Sequence, residues 1–309
     1  MPLIQLTADR LRLSINPLVG ASIADFSMQG PAKYAYPIMR RAAPKEVNPS
    51  AHGSFFMAPW CNRLAGGKLR FGGKEHQLRC NGSDGSAMHG DVRERPWALL
   101  DRTPNTARLE FDSRANPGVN FPWPFAVRAR YELSATALDI DLAVHNLGDQ
   151  PMPAGCGHHP YFMRRLWSER DVLQVHCPVR ARFPLTKGIP SGPAAAEELT
   201  RRLGTMQAAP EELIDTVFDG FSGRAKLVWP GSGIALDITC SSNLGHLVFY
   251  TPVADGPGAA PLPFIAVEPV SQVNNGFNMM AEGTNDTGSI VLRPGEALET
   301  TMRLAVSML

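Results

Sequence analysis

The chain has few cysteines, and none of the usual metal-binding patterns. Its 309 residues include only five, without any Cys-x-x-Cys spacing: Cys61, Cys80, Cys156, Cys177 and Cys240. An odd number of widely separated cysteines argues against a disulfide framework and against a thiolate zinc site. The sequence also lacks His-x-His and His-Glu-x-x-His patterns. We therefore expect reduced, mostly buried thiols and no bound metal.

The chain also lacks an excess of charge of one sign and any long apolar run. Its 30 Lys and Arg residues balance 29 Asp and Glu residues, for a formal net charge of +1. Nucleic acids and anionic membranes attract concentrated positive charge, so neither is an expected partner. No apolar run approaches the ~18 residues of a membrane-spanning helix, and the first residues, MPLIQLTADRLRL, do not resemble a signal peptide. The expected location is the cytoplasm, and no pattern indicates an oligomeric state.

Alternation of apolar and polar residues with a period of two is abundant, and it predicts half-buried strands. The clearest segments are LRLSI (11–15), FAVRARYEL (125–133) and LDIDLAVHN (138–146). A short turn separates the last two, which predicts an antiparallel hairpin. Similar patterns predict a hairpin over 225–240 that turns at 230–233, and a terminal hairpin over 289–306 that turns at Pro294-Gly295.

Helical signal is confined to residues 192–217. There Leu199 and Leu203 lie four residues apart, and Pro210 opens the segment PEELIDTVF, so short surface helices are predicted. The many strands, punctuated by 28 glycines and 27 prolines, favour a large antiparallel all-β sandwich. No linker or fixed-period repeat divides the chain, so residues 1–309 are expected to form one domain.

Two adjacent histidines stand in the segment GCGHHPYF (155–162). Successive side chains of an extended segment point to opposite faces, so only one of His158 and His159 can face a given site. For the same reason the two cannot chelate one ion. The structural alternative is that one is a core histidine, satisfied by a backbone carbonyl, and the other lies at the surface.

Other polar residues interrupt apolar sequence in a similar way. Asn62 and Arg63 follow PWC, His89 precedes a glycine, and Glu268 stands inside FIAVEPV. A buried carboxylate is costly unless it is paired or lies at a cavity wall, and its pKa rises, which makes Glu268 a candidate general base. The alternatives are that Glu268 ends a strand and reaches water, that Arg63 is a structural ion-pair partner, and that His89 is a turn residue.

Taken in order, six segments resemble the aldose 1-epimerase (galactose mutarotase-like) family: PWCNR, MHG, GHHPYF, LIDTVF, VEPVSQVNNGFN and LRPGEAL. The resemblance runs across nearly the whole chain, and members of this family are single β-sandwich domains of about this length. It implies an isomerase that interconverts the α and β anomers of an aldohexose by acid–base ring opening and reclosure. Its partner would be a small-molecule sugar, and no cofactor would be required.

By this resemblance His159 matches the family's catalytic acid and Glu268 its catalytic base. His158 occupies a position that is often aromatic in relatives. We expect the fold to bring the acid and the base to either flank of one pyranose-sized hollow. The expected substrate-binding residues, which would hydrogen-bond sugar hydroxyls, are three that match family positions and one neighbour: Arg63, His89 and Asp215, with Asn62.

Three other functions stay open at this point. A hexose-6-phosphate 1-epimerase would need basic side chains converging at the cavity rim, for which the sequence offers Arg63, Arg79, Arg93 and Arg95. A sugar-binding module would have the same cavity but would not catalyse a reaction. A glycoside hydrolase would use two carboxylates, Glu268 with Asp215. Aromatic side chains that could stack on a sugar are Trp60, Tyr161 and Phe162, although core packing is the alternative for them.

Overall fold

The structure is a computed structural model that describes residues 2–256 and 258–309. Within these residues the chain forms 28 strands, two α-helices and five short 3-10 turns. The first fourteen strands are β1 (Ile4–Ala8), β2 (Leu11–Asn16), β3 (Ser22–Gln29), β4 (Ala35–Pro37), β5 (Phe56–Met57), β6 (Arg63–Leu64), β7 (Lys68–Phe71), β8 (Lys74–Gln77), β9 (Ala87–Met88), β10 (Ala98–Arg102), β11 (Thr106–Asp112), β12 (Phe125–Leu133), β13 (Ala137–Asn146) and β14 (Met152–Ala154).

The remaining elements are short strands around the middle of the chain, longer strands that follow them, and the helices. The strands are β15 (Gly157–His158), β16 (Tyr161–Met163), β17 (Gln174–His176), β18 (Ala181–Arg182), β19 (Leu185–Thr186), β20 (Ile189–Pro190), β21 (Gln207–Ala208), β22 (Ile214–Asp219), β23 (Arg224–Trp229), β24 (Ile234–Cys240), β25 (His246–Thr251), β26 (Phe264–Val270), β27 (Ile290–Leu292) and β28 (Ala297–Met308). The helices are α1 (Glu198–Leu203) and α2 (Gly276–Ala281).

Two large antiparallel sheets form the body of the molecule, which confirms the predicted β-sandwich. One has nine strands in the order β10-β11-β12-β13-β28-β24-β23-β17-β21. The other has seven strands, in the order β18-β22-β25-β26-β15-β5, with β16 also paired to β26. Strands β1 to β4 form a third sheet in sequence order. The larger hydrophobic core takes side chains from both large sheets, as sheet-on-sheet packing requires.

Strand β26 is buried along its whole length, and its two faces contact different clusters. Ile265 and Val267 belong to the larger core, whereas Phe264, Ala266 and Val270 pack in a second, smaller cluster. Because side chains alternate along a strand, Glu268 shares the face of the smaller cluster. The carboxylate therefore points away from the larger core.

Two of the predicted hairpins are confirmed. Strands β12 and β13 pair antiparallel with Leu133 opposite Leu138 at the turn. Strands β23 and β24 pair with Trp229 opposite Ile234, across a turn at 230–233. In each case the turn is short enough that neighbours along the chain become neighbours in the sheet.

The predicted terminal hairpin over 289–306 is wrong. The chain does turn at Pro294-Gly295, but β27 pairs with β14, and β28 pairs with β13 and β24. The turn thus leads from one sheet into another. Alternation shows that a segment is a strand with one buried face, and it does not show which strand lies beside it.

The helix prediction over 192–217 is correct only for residues 198–203, which form α1. The segment after Pro210 forms the strand β22, which pairs with β18 and β25 on either side in the seven-stranded sheet. Its Ile, Thr, Val and Phe residues favour a pleated surface, and this tertiary placement outweighs the helix-start signal of the proline. Helix α2 lies outside the predicted region and begins after Asn275, which has a left-handed backbone.

All five cysteines are free, with Cys61, Cys156 and Cys177 buried and Cys80 exposed. No helix in the described part of the chain is long and apolar enough to cross a membrane.

Gly90 allows the segment after His89 to pass close to the chain at Ala58. Its φ is +72°, and a Cβ at this position would lie 1.9 Å from the Ala58 carbonyl oxygen. We expect Gly90→Ala to lower the free energy of unfolding by about 2–4 kcal/mol, measured by urea denaturation. Gly72→Ala is the matched control, because Gly72 has a φ of +59° but no atom within 4 Å of the added Cβ in the described structure. Equal losses in both variants would contradict the steric argument.

Candidate active site

A cavity of about 270 Å³ lies beside the face of the seven-stranded sheet that carries Glu268. Larger grooves occur elsewhere on the surface. This cavity differs from them in collecting two histidines, two carboxylates, an arginine and two tyrosines. Its lining among the described residues is Ser50, Asn62, Arg63, Met88, His89, His159, Tyr161, Asp215, Val248, Tyr250 and Glu268.

The register of three central strands places carboxylates on one wall. Asp215 of β22 lies opposite Tyr250 of β25, and Val248 of β25 lies opposite Glu268 of β26. Tyr250 and Val248 are two residues apart, so all four side chains share one face of the pleated sheet. The strands thus bring together residues that are up to 53 positions apart in sequence.

A break between β15 and β16 places His159 against Glu268. Gly157 pairs with Val270 and Tyr161 pairs with Ala266, so His159, midway between them, falls opposite Glu268. The His159 Nε2 atom lies 3.1 Å from Glu268 Oε1. Both residues line one cavity, but the expectation that they occupy opposite flanks is wrong, because they contact each other directly.

His158 and His159 lie on opposite faces of the strand, as extended geometry requires. His158 is fully buried, and its ring packs edge-to-face against Phe56 with centroids 5.5 Å apart. Neither of its ring nitrogens has a hydrogen-bond partner within the described residues, and burial lowers its pKa to about 3. His158 is therefore a neutral core residue, without the backbone carbonyl partner of the structural alternative.

Aromatic neighbours fix the orientation of the His159 ring. Phe55 stacks on it with centroids 4.4 Å apart and an interplanar angle of 27°, and Tyr161 lies 4.6 Å away. His89 approaches edge-on at 5.3 Å. The backbone N–H of His159 donates to the Phe55 carbonyl. A ring held in this way keeps Nε2 directed at Glu268.

Burial disfavours a separate charge on either member of the pair. Glu268 is 1% exposed, and burial, reinforced by the charge of Asp215, raises its pKa well above the usual range despite the opposing effect of Arg63. Burial, with a contribution from Arg93, lowers the pKa of His159 to about 3. We therefore treat the pair as holding one proton and no net charge at neutral pH. Glu268 Oε2 and His159 Nδ1 have no hydrogen-bond partner in the described structure.

The alternative in which Glu268 ends a strand and reaches water is wrong, because β26 continues through Pro269 to Val270 and the carboxylate is buried.

His89 combines a left-handed backbone, with φ of +62°, and a place in the cavity lining. Burial lowers the pKa of His89 well below the usual range, and the nearby His159 lowers it further, so the His89 ring is neutral.

Arg63 provides the positive charge of the cavity. Its Nε donates to Asp84 Oδ2 at 2.8 Å, and its Nη1 donates to Asn62 Oδ1 at 2.9 Å. Its Nη2 lies 3.7 Å from Asp215 Oδ2. Arg63 is therefore a structural ion-pair partner and a cavity residue at once.

Of the other three arginines considered for a phosphate site, Arg79 and Arg95 lie elsewhere. Arg93 lies behind the cavity lining, where its Nη1 donates to Ser50 Oγ at 3.2 Å. Arg79 and Arg95 are both close to Asp91, at 3.8 and 3.0 Å. Arg93 pairs with Glu94 at 3.1 Å and covers the Phe55 ring. Of the four, only Arg63 belongs to the cavity lining in the described part of the chain.

The proposed sugar-stacking residues divide between core and cavity. Trp60 and Phe162 are fully buried in the larger core, while Tyr161 lines the cavity. Sequence reasoning missed four other lining residues, Ser50, Met88, Val248 and Tyr250. Alternation along β25 places Tyr250 on the same face as Val248, but the pattern carries no sign that this face borders a cavity.

The sheet architecture and this cavity define a galactose mutarotase-like β-sandwich. The chain belongs to the aldose 1-epimerase family, whose model matches residues 2–305. This family includes isomerase enzymes.

Relatives share both sequence and fold with the chain. It is 27% identical over 259 residues to the uncharacterized protein YphB of Escherichia coli K12, covering 82% of this chain and 84% of that protein. It is 32% identical over 157 residues to the uncharacterized protein YihR of the same organism, a match that spans only 48% of YihR. The crystal structure of a putative aldose 1-epimerase from E. coli K12 superposes with a TM-score of 0.83 at 21% identity, covering 99% of each chain.

Proposed function

We propose that the chain is an aldose 1-epimerase that interconverts the α and β anomers of an unphosphorylated aldohexose. The observation that carries this proposal is the 3.1 Å contact between His159 Nε2 and Glu268 Oε1 in a polar cavity. The hydroxyl oxygen and the ring oxygen that exchange protons during mutarotation are bonded to the same carbon, C1. An acid and a base that act on both must therefore be neighbours.

In the proposed ring opening, the proton of the pair passes from Glu268 to His159 across their 3.1 Å contact when the sugar binds. The ionised Glu268 then removes the proton from the C1 hydroxyl while the protonated His159 donates its proton to the ring oxygen. The O–H electron pair forms the C1=O double bond, and the C1–ring-oxygen bond breaks, with its electron pair moving to the ring oxygen. After rotation about C1–C2, the reverse transfers close the ring on the other face. The proton count of the pair is restored, and no cofactor is needed because no redox change or group transfer occurs. Assistance by each group is worth ~10²–10⁴-fold.

The remaining polar residues would hold the sugar. Arg63 and His89 would donate to hydroxyl oxygens, and Asp215 would accept from hydroxyl groups. Asn62 already accepts a hydrogen bond from Arg63 through Oδ1, so its side-chain NH₂ group is the one that would donate to a sugar oxygen.

The charges of the lining favour a neutral sugar over a hexose 6-phosphate. Arg63 stands between Asp84 and Asp215, so a phosphate beside it would also meet carboxylates. Anomeric exchange measured by proton NMR on free aldohexoses and on their 6-phosphates tests this. We expect kcat/KM for a free sugar to exceed that for its 6-phosphate by at least about 10-fold. A preference for the phosphorylated sugar would overturn the substrate class.

The pairing of Glu268 with a histidine, and not with Asp215, also favours epimerisation over glycoside hydrolysis. Asp215 lies two strands away and its side chain is 45% exposed. Incubation with a disaccharide should release no reducing ends. Release of sugar would support the hydrolase, and exchange of anomers would exclude a module that only binds.

The pH dependence of kcat/KM should reflect a His159–Glu268 pair that is active when it holds one proton. Because the pKa of His159 is lowered to about 3 and that of Glu268 is raised, the singly protonated pair spans neutral pH. We expect kcat/KM to have a broad plateau, to fall at acid pH when a second proton is added, and to fall at alkaline pH when the last proton is lost. Initial rates between about pH 3 and 10, after subtraction of buffer catalysis, measure this. A single ionisation near 6.5, the ordinary histidine value, would contradict it.

A further inference from the structure

We propose that Asp84 is a positioning residue that holds the Arg63 guanidinium at the cavity wall and keeps Asp215 free to accept sugar hydroxyls. The inference rests on the proposed function and extends it to a residue behind the cavity. Asp84 stands in the loop NGSDGS between β8 and β9 and is not among the described residues that line the cavity. Its carboxylate would therefore act on the sugar through Arg63.

The Asp84 carboxylate is itself firmly held. Its Oδ1 accepts the Ser86 backbone N–H at 3.0 Å and the Ser86 hydroxyl at 2.5 Å. Ser86 is 3% exposed, so this anchor belongs to the buried structure. The other oxygen, Oδ2, accepts Arg63 Nε at 2.8 Å. One oxygen thus fixes the carboxylate, and the other fixes the guanidinium.

Arg63 is confined on its other sides as well. Asn62 Oδ1 accepts Nη1, and the turn between β19 and β20 abuts the side chain. A Cβ added at Gly188 in this turn would lie 2.8 Å from Arg63 Cδ and Nε. The Gly188 carbonyl in turn accepts from the Asn274 side chain at 2.7 Å, which holds the turn in place.

Two carboxylates compete for the same guanidinium. Asp84 contacts Arg63 at 2.8 Å, whereas Asp215 stays at 3.7 Å with its side chain 45% exposed. Without the Asp84 charge, Coulomb attraction would draw the guanidinium toward Asp215, which lines the cavity. A close Arg63–Asp215 pair would occupy the Asp215 oxygens that the sugar hydroxyls need as acceptors. Sugar binding would therefore weaken, while the rate of the chemical step would change less.

The test compares Asp84→Asn with wild type by polarimetry over a range of sugar concentrations. We expect KM to rise about 10-fold and kcat to change less than about 3-fold, because the variant loses a charge-assisted hydrogen bond to a binding residue. Asp112→Asn is the matched control. Asp112 also pairs with an arginine and accepts a backbone N–H two residues on, its side chain is 24% exposed against 28% for Asp84, and it lies outside the cavity lining in the described chain.

A double-mutant cycle shows whether Asp84 acts through Arg63. In an Arg63→Ala background, Asp84→Asn should raise KM no further. An Asp84→Asn enzyme with wild-type KM, or one whose effect persists undiminished without Arg63, would overturn the inference. If wild type itself exchanges no anomers, the proposed function fails instead. Calorimetry then tests the inference with free aldohexose, where about 10-fold weaker binding by Asp84→Asn supports it and unchanged binding overturns it.

Discussion

Glu268→Gln should slow anomer exchange by about 10²–10⁴-fold while the protein stays folded. Glutamine matches glutamate in shape and keeps a polar group beside His159 Nε2, but it cannot take the proton of the C1 hydroxyl. The variant thus removes the base and little else. Initial rates by polarimetry, with circular dichroism to confirm the fold, measure the effect.

The stability of Glu268→Gln provides an internal control with a definite sign. The folded-state pKa of Glu268 is raised above its usual 4.5, so wild type loses stability as pH rises above that value and the buried group resists ionisation. Glutamine carries no such cost. The free energy of unfolding of the variant relative to wild type should therefore increase from pH 4 to pH 8. A variant that is slow and also less stable at pH 8 would indicate damage to the fold.

Substitution of the two adjacent histidines should have opposite consequences. His159→Gln should reduce the exchange rate by about 10²–10⁴-fold, because the donor to the ring oxygen is lost. His158→Phe should keep the rate within about 3-fold of wild type and leave the free energy of unfolding unchanged or higher. It replaces two buried nitrogens, which have no hydrogen-bond partner among the described residues, with apolar atoms.

The comparison measures kcat by polarimetry and unfolding by urea titration on both variants. His158 is fully buried against Phe56, whereas His159 lies at the cavity. Equal losses of activity in both variants would mean that the segment acts through its packing and that His159 has no separate chemical role.

Local sequence patterns predicted the pairing of strands that are joined by short turns. Alternation over 125–146 identified β12 and β13 as partners because few residues separate them. The same pattern at β28 did not reveal its neighbours, since β13 and β24 lie far away in sequence. For β22, the helix-start signal of Pro210 was local, whereas the segment forms a strand because it pairs with β18 and β25 on either side.

The site was predictable to a similar extent. A carboxylate within FIAVEPV is conspicuous from the cost of its burial, and alternation alone shows that His158 and His159 diverge. The direct contact of His159 with Glu268 was not predictable, because it depends on the break between β15 and β16 opposite β26. Asp84 stands in a Gly- and Ser-rich loop that is typical of an ordinary turn, so only its contact with Arg63 distinguishes it.

Polarimetry of freshly dissolved α-D-galactose and α-D-glucose, with wild-type protein and Glu268→Gln side by side at neutral pH, shows whether the His159–Glu268 pair catalyses anomer exchange. We expect wild type to accelerate relaxation to the equilibrium rotation in proportion to protein concentration, and the sugar to relax close to the buffer rate with the variant. Equal acceleration by both proteins would contradict the claim that the His159–Glu268 pair carries the proton transfers.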